Sequence, residues 1–185
     1  MPTTVVFPAD ELTPADVLRQ QIAHQVEEAF ARTPYPGDDR ICRAGADGGD
    51  LMRAFRGKAW QDVQLATLLN YHIDMPIMTP EAFRYYLPAF MLAVLFFYAH
   101  SGTLPMSLIH NLTPPDASSL HDYMEKTQPS SKRSKIDEFL NRVSAFTPAE
   151  RAAIRAYLES YRKLHPHGRS EMRYLDRAMA FWQMA

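Results

Sequence analysis

The residues nearest to chemistry in this sequence lie in the run Tyr35-Pro36-Gly37-Asp38-Asp39-Arg40. Two carboxylates and a guanidinium in one tight turn can gather a cation or a polar ligand, because hard cations collect clustered oxygens. Against this, metal loops alternate their ligands, and the side chains of adjacent residues diverge. The structural alternative is a turn in which Asp38 and Asp39 cap the next segment and one of them pairs with Arg40 or Arg84. Trp60, Tyr85 and Tyr86 make the second candidate. Each has an apolar body and one polar tip. They can line a pocket, or they can sit in the core with their donors satisfying the aspartates of the Pro36-Gly37 turn. Joined, the two candidates make one unit of Asp38, Asp39, Arg40, Trp60, Arg84, Tyr85 and Tyr86. That unit is either a ligand or partner site or a structural joint. As a joint it makes Asp39→Ala destabilising and Tyr86→Phe less so.

The remaining chemistry-bearing residues are scattered. Of the seven histidines, His165-Pro166-His167 offers two ligands without a third, and His100, His110 and His121 share no helical face. Cys42 is the only cysteine, so it closes no intramolecular disulfide. Its loop contains aspartates, which should raise the thiol pKa rather than activate it. The sequence has no Ser-x-Gly nucleophile elbow, glycine-rich phosphate loop, His-Glu-x-x-His or Cys-His arrangement. No catalytic residue, metal or cofactor is expected.

The element that must position these residues is the stretch from Thr79 to Ala99. From Tyr85 to Ala99 it runs 15 residues without a charge. A helix that is apolar all round belongs in the middle of a core, and this one falls short of the roughly 20 residues a bilayer requires. Pro88 should kink it near Arg84 to Leu87. Phe90, Leu92, Val94, Leu95 and Phe97 are expected to be buried.

Helix starts are written by local chemistry at Thr13-Pro14-Ala15-Asp16, Thr79-Pro80-Glu81, Thr113-Pro114-Pro115-Asp116 and Thr147-Pro148-Ala149-Glu150. The first helix carries Leu18, Ile22, Val26 and Phe30 as one stripe and stops at Pro34. Residues 35 to 50 read as loop, Leu51 to Phe55 as a turn of helix, and Trp60 to Leu69 as a stronger helix. Tyr71 to Met78 reads as a connection. Short apolar helices follow around Leu104 to Leu112 and Ile136 to Val143. A longer one contains Ile154, Tyr157, Leu158 and Tyr161, and a last one ends at Trp182. Residues 1–12 read as an N-terminal arm and 127–134 as an exposed, mobile loop. No run alternates with period two. The expected fold is all-α: a single domain, 1–185, with six to eight helices in an irregular bundle around a buried, Pro-kinked central helix at about 80–99.

Composition excludes a disordered chain, with 46% hydrophobic and 11% aromatic residues. The net charge of −1 hides an asymmetry. Residues 1–125 hold 8 Lys/Arg against 15 Asp/Glu, whereas residues 126–185 hold 12 against 6. The simplest use of this is attraction between an acidic body and a basic region. The alternative is a surface for a partner. A nucleic-acid binder would show one basic face over the whole domain, so nucleic acid is not the expected partner.

Several pieces match a known pattern. They are Pro36-Gly37-Asp38-Asp39 after the first helix, Trp60, the run Thr79-Pro80-Glu81-Ala82-Phe83-Arg84-Tyr85-Tyr86-Leu87-Pro88-Ala89-Phe90, the late helix AAIRAYLESY, and Ala178 with Phe181-Trp182. Together they resemble an uncharacterised family of small helical bacterial proteins, a domain of unknown function. The resemblance covers about residues 20–183, and YYLPAF is its most specific part. It implies a bacterial, cytoplasmic, helical protein and brings no activity, cofactor or catalytic residue.

Neither a signal peptide nor membrane association is expected from the opening residues. Two functional readings follow. The first is a non-enzymatic protein that binds another protein, a toxin-like or basic partner, as an immunity or antitoxin-like protein or an adaptor. The second is an enzyme or small-ligand protein with its pocket at Trp60, Tyr85, Tyr86, Asp38 and Asp39. A deep pocket around those side chains favours the second, and a buried cluster under an acidic surface favours the first. The oligomeric state is not encoded in any feature of the sequence.

Overall fold

The structure is a computed structural model that describes residues 12–115, 130–165 and 168–184. Among the described residues there are eight α-helices, α1 (Pro14–Phe30), α2 (Gly49–Phe55), α3 (Leu65–Tyr71), α4 (Pro80–Phe97), α5 (Leu104–Leu112), α6 (Ser130–Ser144), α7 (Pro148–Leu164) and α8 (Arg169–Met184). Short 3-10 helices lie at Asp38–Arg40, Trp60–Asp62, His72–Ile77 and Tyr98–His100. Extended pairing among the described residues amounts to one antiparallel bridge, between Cys42 and Met78.

The central helix is α4, packed against α1, α3, α5 and α6. Its start is fixed twice. The Thr79 hydroxyl accepts from Ala82 N–H at 3.1 Å as an N-cap, and it donates to the Arg40 carbonyl at 2.6 Å. Beside it, Thr79 N–H donates to Ile41 C=O at 3.1 Å and Arg43 N–H to Ile77 C=O at 2.9 Å. The turn after α1 is therefore stitched to the first residue of the core helix. Pro88 sits buried inside α4, which continues through it. With the turn that follows, the apolar segment Pro80–His100 reaches 21 residues, a membrane-spanning length, but 67% of its most apolar window is buried inside the protein. Burial rather than shortness makes it a core helix. The expected all-round burial fails at two positions: Leu92 is half-buried on one side of the helix, and Phe97 is 38% exposed where the last turn leaves the core.

Local capping accounts for the flanking helices. Thr13 with Asp16 and Thr147 with Glu150 each form a complete capping box behind a proline at the first helical position. Thr113 differs from the expectation. Its hydroxyl donates to Ile109 C=O at 2.6 Å and Tyr174 C=O at 3.2 Å, closing α5 onto α8, and the segment it was expected to start lies outside the described residues. The expected Trp60–Leu69 helix is broken, because Val63 and Gln64 are extended between the 3-10 turn and α3. The connection 71–78 holds a six-residue 3-10 helix. The expected N-terminal arm lies outside the described residues except Leu12, as do residues 127–129 of the expected loop. From Ser130 onward that loop is helix α6 instead. Extending an existing helix through Lys and Arg costs little once its apolar stripe has nucleated it.

The charge asymmetry is used differently from the expectation. Among the described residues two ion pairs cross between the halves, Arg43–Glu138 at 3.1 Å and Arg84–Glu150 at 2.9 Å. In both, the acidic body supplies the arginine. Arg162 of the basic region pairs with Asp176 at 3.3 Å within that region, and four other arginines instead donate to backbone carbonyls where helices and turns end. Arg151 reaches Phe146 at 3.1 Å and Val143 at 3.4 Å, Arg155 reaches Trp182 at 3.4 Å, Arg142 reaches Pro76 at 3.3 Å, and Arg177 reaches Pro114. Terminal carbonyls lack intrahelical donors and carry the negative end of the helix dipole, so cations belong there.

Two substitutions in α4 separate its core from its exit. Phe90 is fully buried and Phe97 is not. Phe90→Ala is expected to lower the unfolding free energy by about 3–5 kcal/mol. Phe97→Ala should lower it by under about 1 kcal/mol, measured by urea denaturation.

Candidate functional site

The turn at Pro36-Gly37 and the aromatic cluster do meet, through residues the sequence reading left out. Gly37 takes φ 93°, a left-handed conformation that favours glycine, and this turns the chain into the 3-10 helix Asp38–Arg40. The Tyr35 hydroxyl donates to Asp38 Oδ1 at 2.6 Å. Gly57 N–H donates to the Tyr35 oxygen at 2.8 Å and to Asp38 Oδ1 at 3.2 Å. Arg56 lies 3.9 Å from Asp38 and 3.2 Å from Asp39. The loop after α2, rather than α4, therefore receives the aspartates.

The aromatic rings form a continuous edge-to-face chain under this turn. Tyr35 meets Tyr85 at 5.4 Å, Tyr85 meets Tyr86 at 4.9 Å, and Tyr86 meets Phe55 at 4.8 Å. Trp60, Tyr85 and Tyr86 are all buried. The Tyr86 hydroxyl donates to the carbonyls of Phe55 at 2.8 Å and Lys58 at 3.1 Å, not to an aspartate or to the Arg84 carbonyl. Tyr85 is hydrogen-bonded to the backbone of Trp60. Burial is the main cause that raises the phenol pKa values of Tyr35, Tyr85 and Tyr86. All three phenols stay neutral at ordinary pH.

Arg40 and Arg84 do not join the aspartates. Arg40 is exposed, and its carbonyl serves Thr79. Arg84 turns to Glu150, with Nε 3.0 Å from Oε1 and 2.9 Å from Oε2. Glu150 is 1% exposed and also receives the Thr33 hydroxyl at 2.6 Å and Thr147 N–H at 2.7 Å. The capping box marked Glu150 as a helix start. Its pairing with Arg84 crosses 66 residues and had no local signal.

A second polar cluster was missed altogether. His72 is buried between its own 3-10 helix and α5. Its Nδ1 lies 2.8 Å from Ser107 Oγ, and its Nε2 lies 3.3 Å from Thr103 Oγ1. Next along the same helix face, Asn111 Oδ1 accepts from Arg142 at 2.8 Å. The signal was present: Thr103, Ser107 and Asn111 recur every four residues along an otherwise apolar helix. Burial lowers the His72 pKa, with Asp74 opposing. A neutral imidazole can donate through one nitrogen and accept through the other, so both hydroxyls are matched without a charge.

The other candidates are dispersed. His165 is buried and stacked on Tyr98 at 3.8 Å, His110 packs on Tyr174 at 4.1 Å, His100 is exposed, and His121 and His167 lie outside the described residues. Cys42 is buried and donates to Gly48 C=O at 3.4 Å. Its pKa is raised, by burial first and then by Asp74, not by the aspartates of its own loop. Among the described residues no three His, Cys, Asp or Glu side chains converge to hold a metal.

This geometry reverses the expected order of two mutations. Asp39 is 93% exposed and meets Arg56 at 3.2 Å, and such surface pairs contribute under about 1 kcal/mol. Tyr86→Phe removes the buried donor shared by the Phe55 and Lys58 carbonyls, the first of which keeps Lys58 N–H at 3.2 Å, and should cost about 1–3 kcal/mol. Thermal melts of the two variants check this, with the larger loss expected for Tyr86→Phe. His72 gives a pH dependence. Its folded pKa lies below the ordinary value of 6.5, so the unfolded chain binds the extra proton. Its contribution is constant above that value and is lost as pH falls below it. His72→Gln should flatten this acid slope in urea midpoints measured across pH.

No curated protein and no solved structure matches the chain. The family model of DUF6714, a family of unknown function, matches residues 19–185, from within α1 to the end of the chain, and the chain belongs to that family.

Proposed function

We propose that this protein works by binding another protein rather than by catalysis. The observation that carries the reading is the closed aromatic cluster. Trp60, Tyr85 and Tyr86 are buried, the Tyr86 hydroxyl is bonded to two carbonyls, and only Asp38, Asp39 and Arg40 of the joint face solvent. A catalytic group must reach a reacting atom, and these donors are turned inward. The outward part is a rigidly held acidic turn, fixed below by Tyr35 and Gly57. Asp38, held by Tyr35 and Gly57, and the exposed Asp39 beside it suit recognition of a basic surface, because charge complementarity steers and orients such a partner. The partner class is therefore a basic protein. An immunity-like, antitoxin-like or adaptor role in a bacterial cytoplasm is the biological form of this reading.

The test is co-purification with the products of neighbouring genes, followed by titration calorimetry on any complex. Asp39→Lys should weaken the complex at least tenfold while leaving the melting temperature near that of the wild type. Asp39→Lys binding with wild-type affinity would remove the acidic turn from the interface. Turnover or tight binding of a small molecule that alters Trp60 fluorescence would replace the reading with a ligand pocket.

A further inference from the structure

Two guanidinium groups, Arg142 on α6 and Arg43 in the loop after Asp38–Arg40, come together beside the 3-10 helix His72–Ile77 in a setting that asks for an anion: Arg43 N–H donates to Ile77 C=O at 2.9 Å and Arg142 to Pro76 C=O at 3.3 Å. Arg142 is half-buried. Its bonded acceptors are neutral, Asn111 Oδ1 at 2.8 Å and Pro76 C=O at 3.3 Å, and its guanidinium lies over the Phe83 ring at 4.7 Å. Arg43 stands beside it. Among the described residues the buried Nε of Arg43 has no acceptor, while its Nη1 meets Glu138 at 3.1 Å. The two arginines repel each other: burial first and then Arg43 lower the Arg142 pKa to about 10, and only Glu138 acts the other way. Asp74 acts on His72 and Cys42 instead.

We propose that Arg43 and Arg142 form a binding site for an external carboxylate, with Glu138 as its displaceable internal occupant. Glu138 shows which chemistry the site accepts, since a carboxylate already sits against Arg43. The pair is open, with side chains 38% and 49% exposed, so it holds the place weakly. An incoming carboxylate placed between Arg43 and Arg142 gains charge-assisted hydrogen bonds to both guanidinium groups. It also relieves the repulsion between the two cations. The site is independent of the acidic turn at Asp38 and Asp39, and neither proposal depends on the other.

The experiment titrates the full chain with succinate at constant ionic strength, following the arginine Nε–H resonances and the heat of binding. A second arm uses inorganic phosphate, and a third a short peptide ending in Asp. Glu138→Gln should bind succinate up to about fivefold more tightly than wild type, because the competitor is gone. Arg43→Gln should abolish the binding while its melting temperature reports an intact fold. Arg142→Lys, which keeps the charge but loses the fork, should weaken it. The proposal is overturned if Glu138→Gln gains nothing, if Arg43→Gln binds as the wild type does, or if phosphate binds more tightly than succinate. Stronger binding of the peptide than of succinate supports the site and identifies a partner chain as the source of the carboxylate.

Discussion

The fold depends on one buried carboxylate. Glu150 sits at 1% exposure where three segments converge: Thr33 beyond α1, Arg84 on α4 and Thr147 at the start of α7. An ionised group at that depth is tolerable only with its oxygens fully hydrogen-bonded and a cation beside it. The requirement sets geometry. α7 must begin close to Arg84, and the chain leaving α1 must pass within reach of Thr33. The close packing of α1 on both α4 and α7 follows from that convergence. Removing Arg84 or Thr33 alone would leave Glu150 with part of its shell, and such partial removal is more costly than replacing the whole set by apolar residues.

Around this anchor the aromatic residues do two jobs. Phe30, Phe83, Phe146 and Trp182 meet edge to face near the α1–α4–α7 contact, at ring separations of 5.8 to 6.2 Å. Trp182 also donates to Leu112 C=O at 2.8 Å, which fixes the last helix to the end of α5. Tyr86 does the same for the loop after α2. Each ring fills volume, and each N–H or O–H selects one backbone position, so apolar packing becomes specific.

What could be read from the sequence was what local chemistry decides. The helix starts at Thr13, Thr79 and Thr147 came from residues within one turn of one another, and the core position of α4 came from an uncharged run. The burial of Ile22, Val26 and Phe30 followed from spacing alone. What could not be read was pairing across the fold. Arg84 has aspartates nearer in sequence than Glu150, and adjacency pointed to them. The C-terminal arginines suggested attraction to the acidic body or a surface for a partner, because nothing in a sequence marks which carbonyls a helix leaves open. The His72 cluster was hidden because its histidine and its hydroxyls lie on separate elements. At the candidate joint the members Tyr85, Tyr86, Trp60, Asp38 and Asp39 are neighbours, but the residues that connect them, Tyr35, Arg56 and Gly57, became visible only with the chain folded.

The enclosure of Cys42 has a consequence for how the molecule breathes. A side-chain carbon at Gly48 would fall 2.5 Å from the Cys42 sulfur, so only glycine lets the loop fold down over the thiol. The thiol is also pinned between that loop and the bridge to Met78, one residue from the cap of α4. An alkylating reagent can reach it only when the segment 41–48 lifts. The protein thus carries a single built-in clock: the rate at which its lone cysteine is modified measures how often the mouth of the central helix opens while the rest of the bundle stays shut.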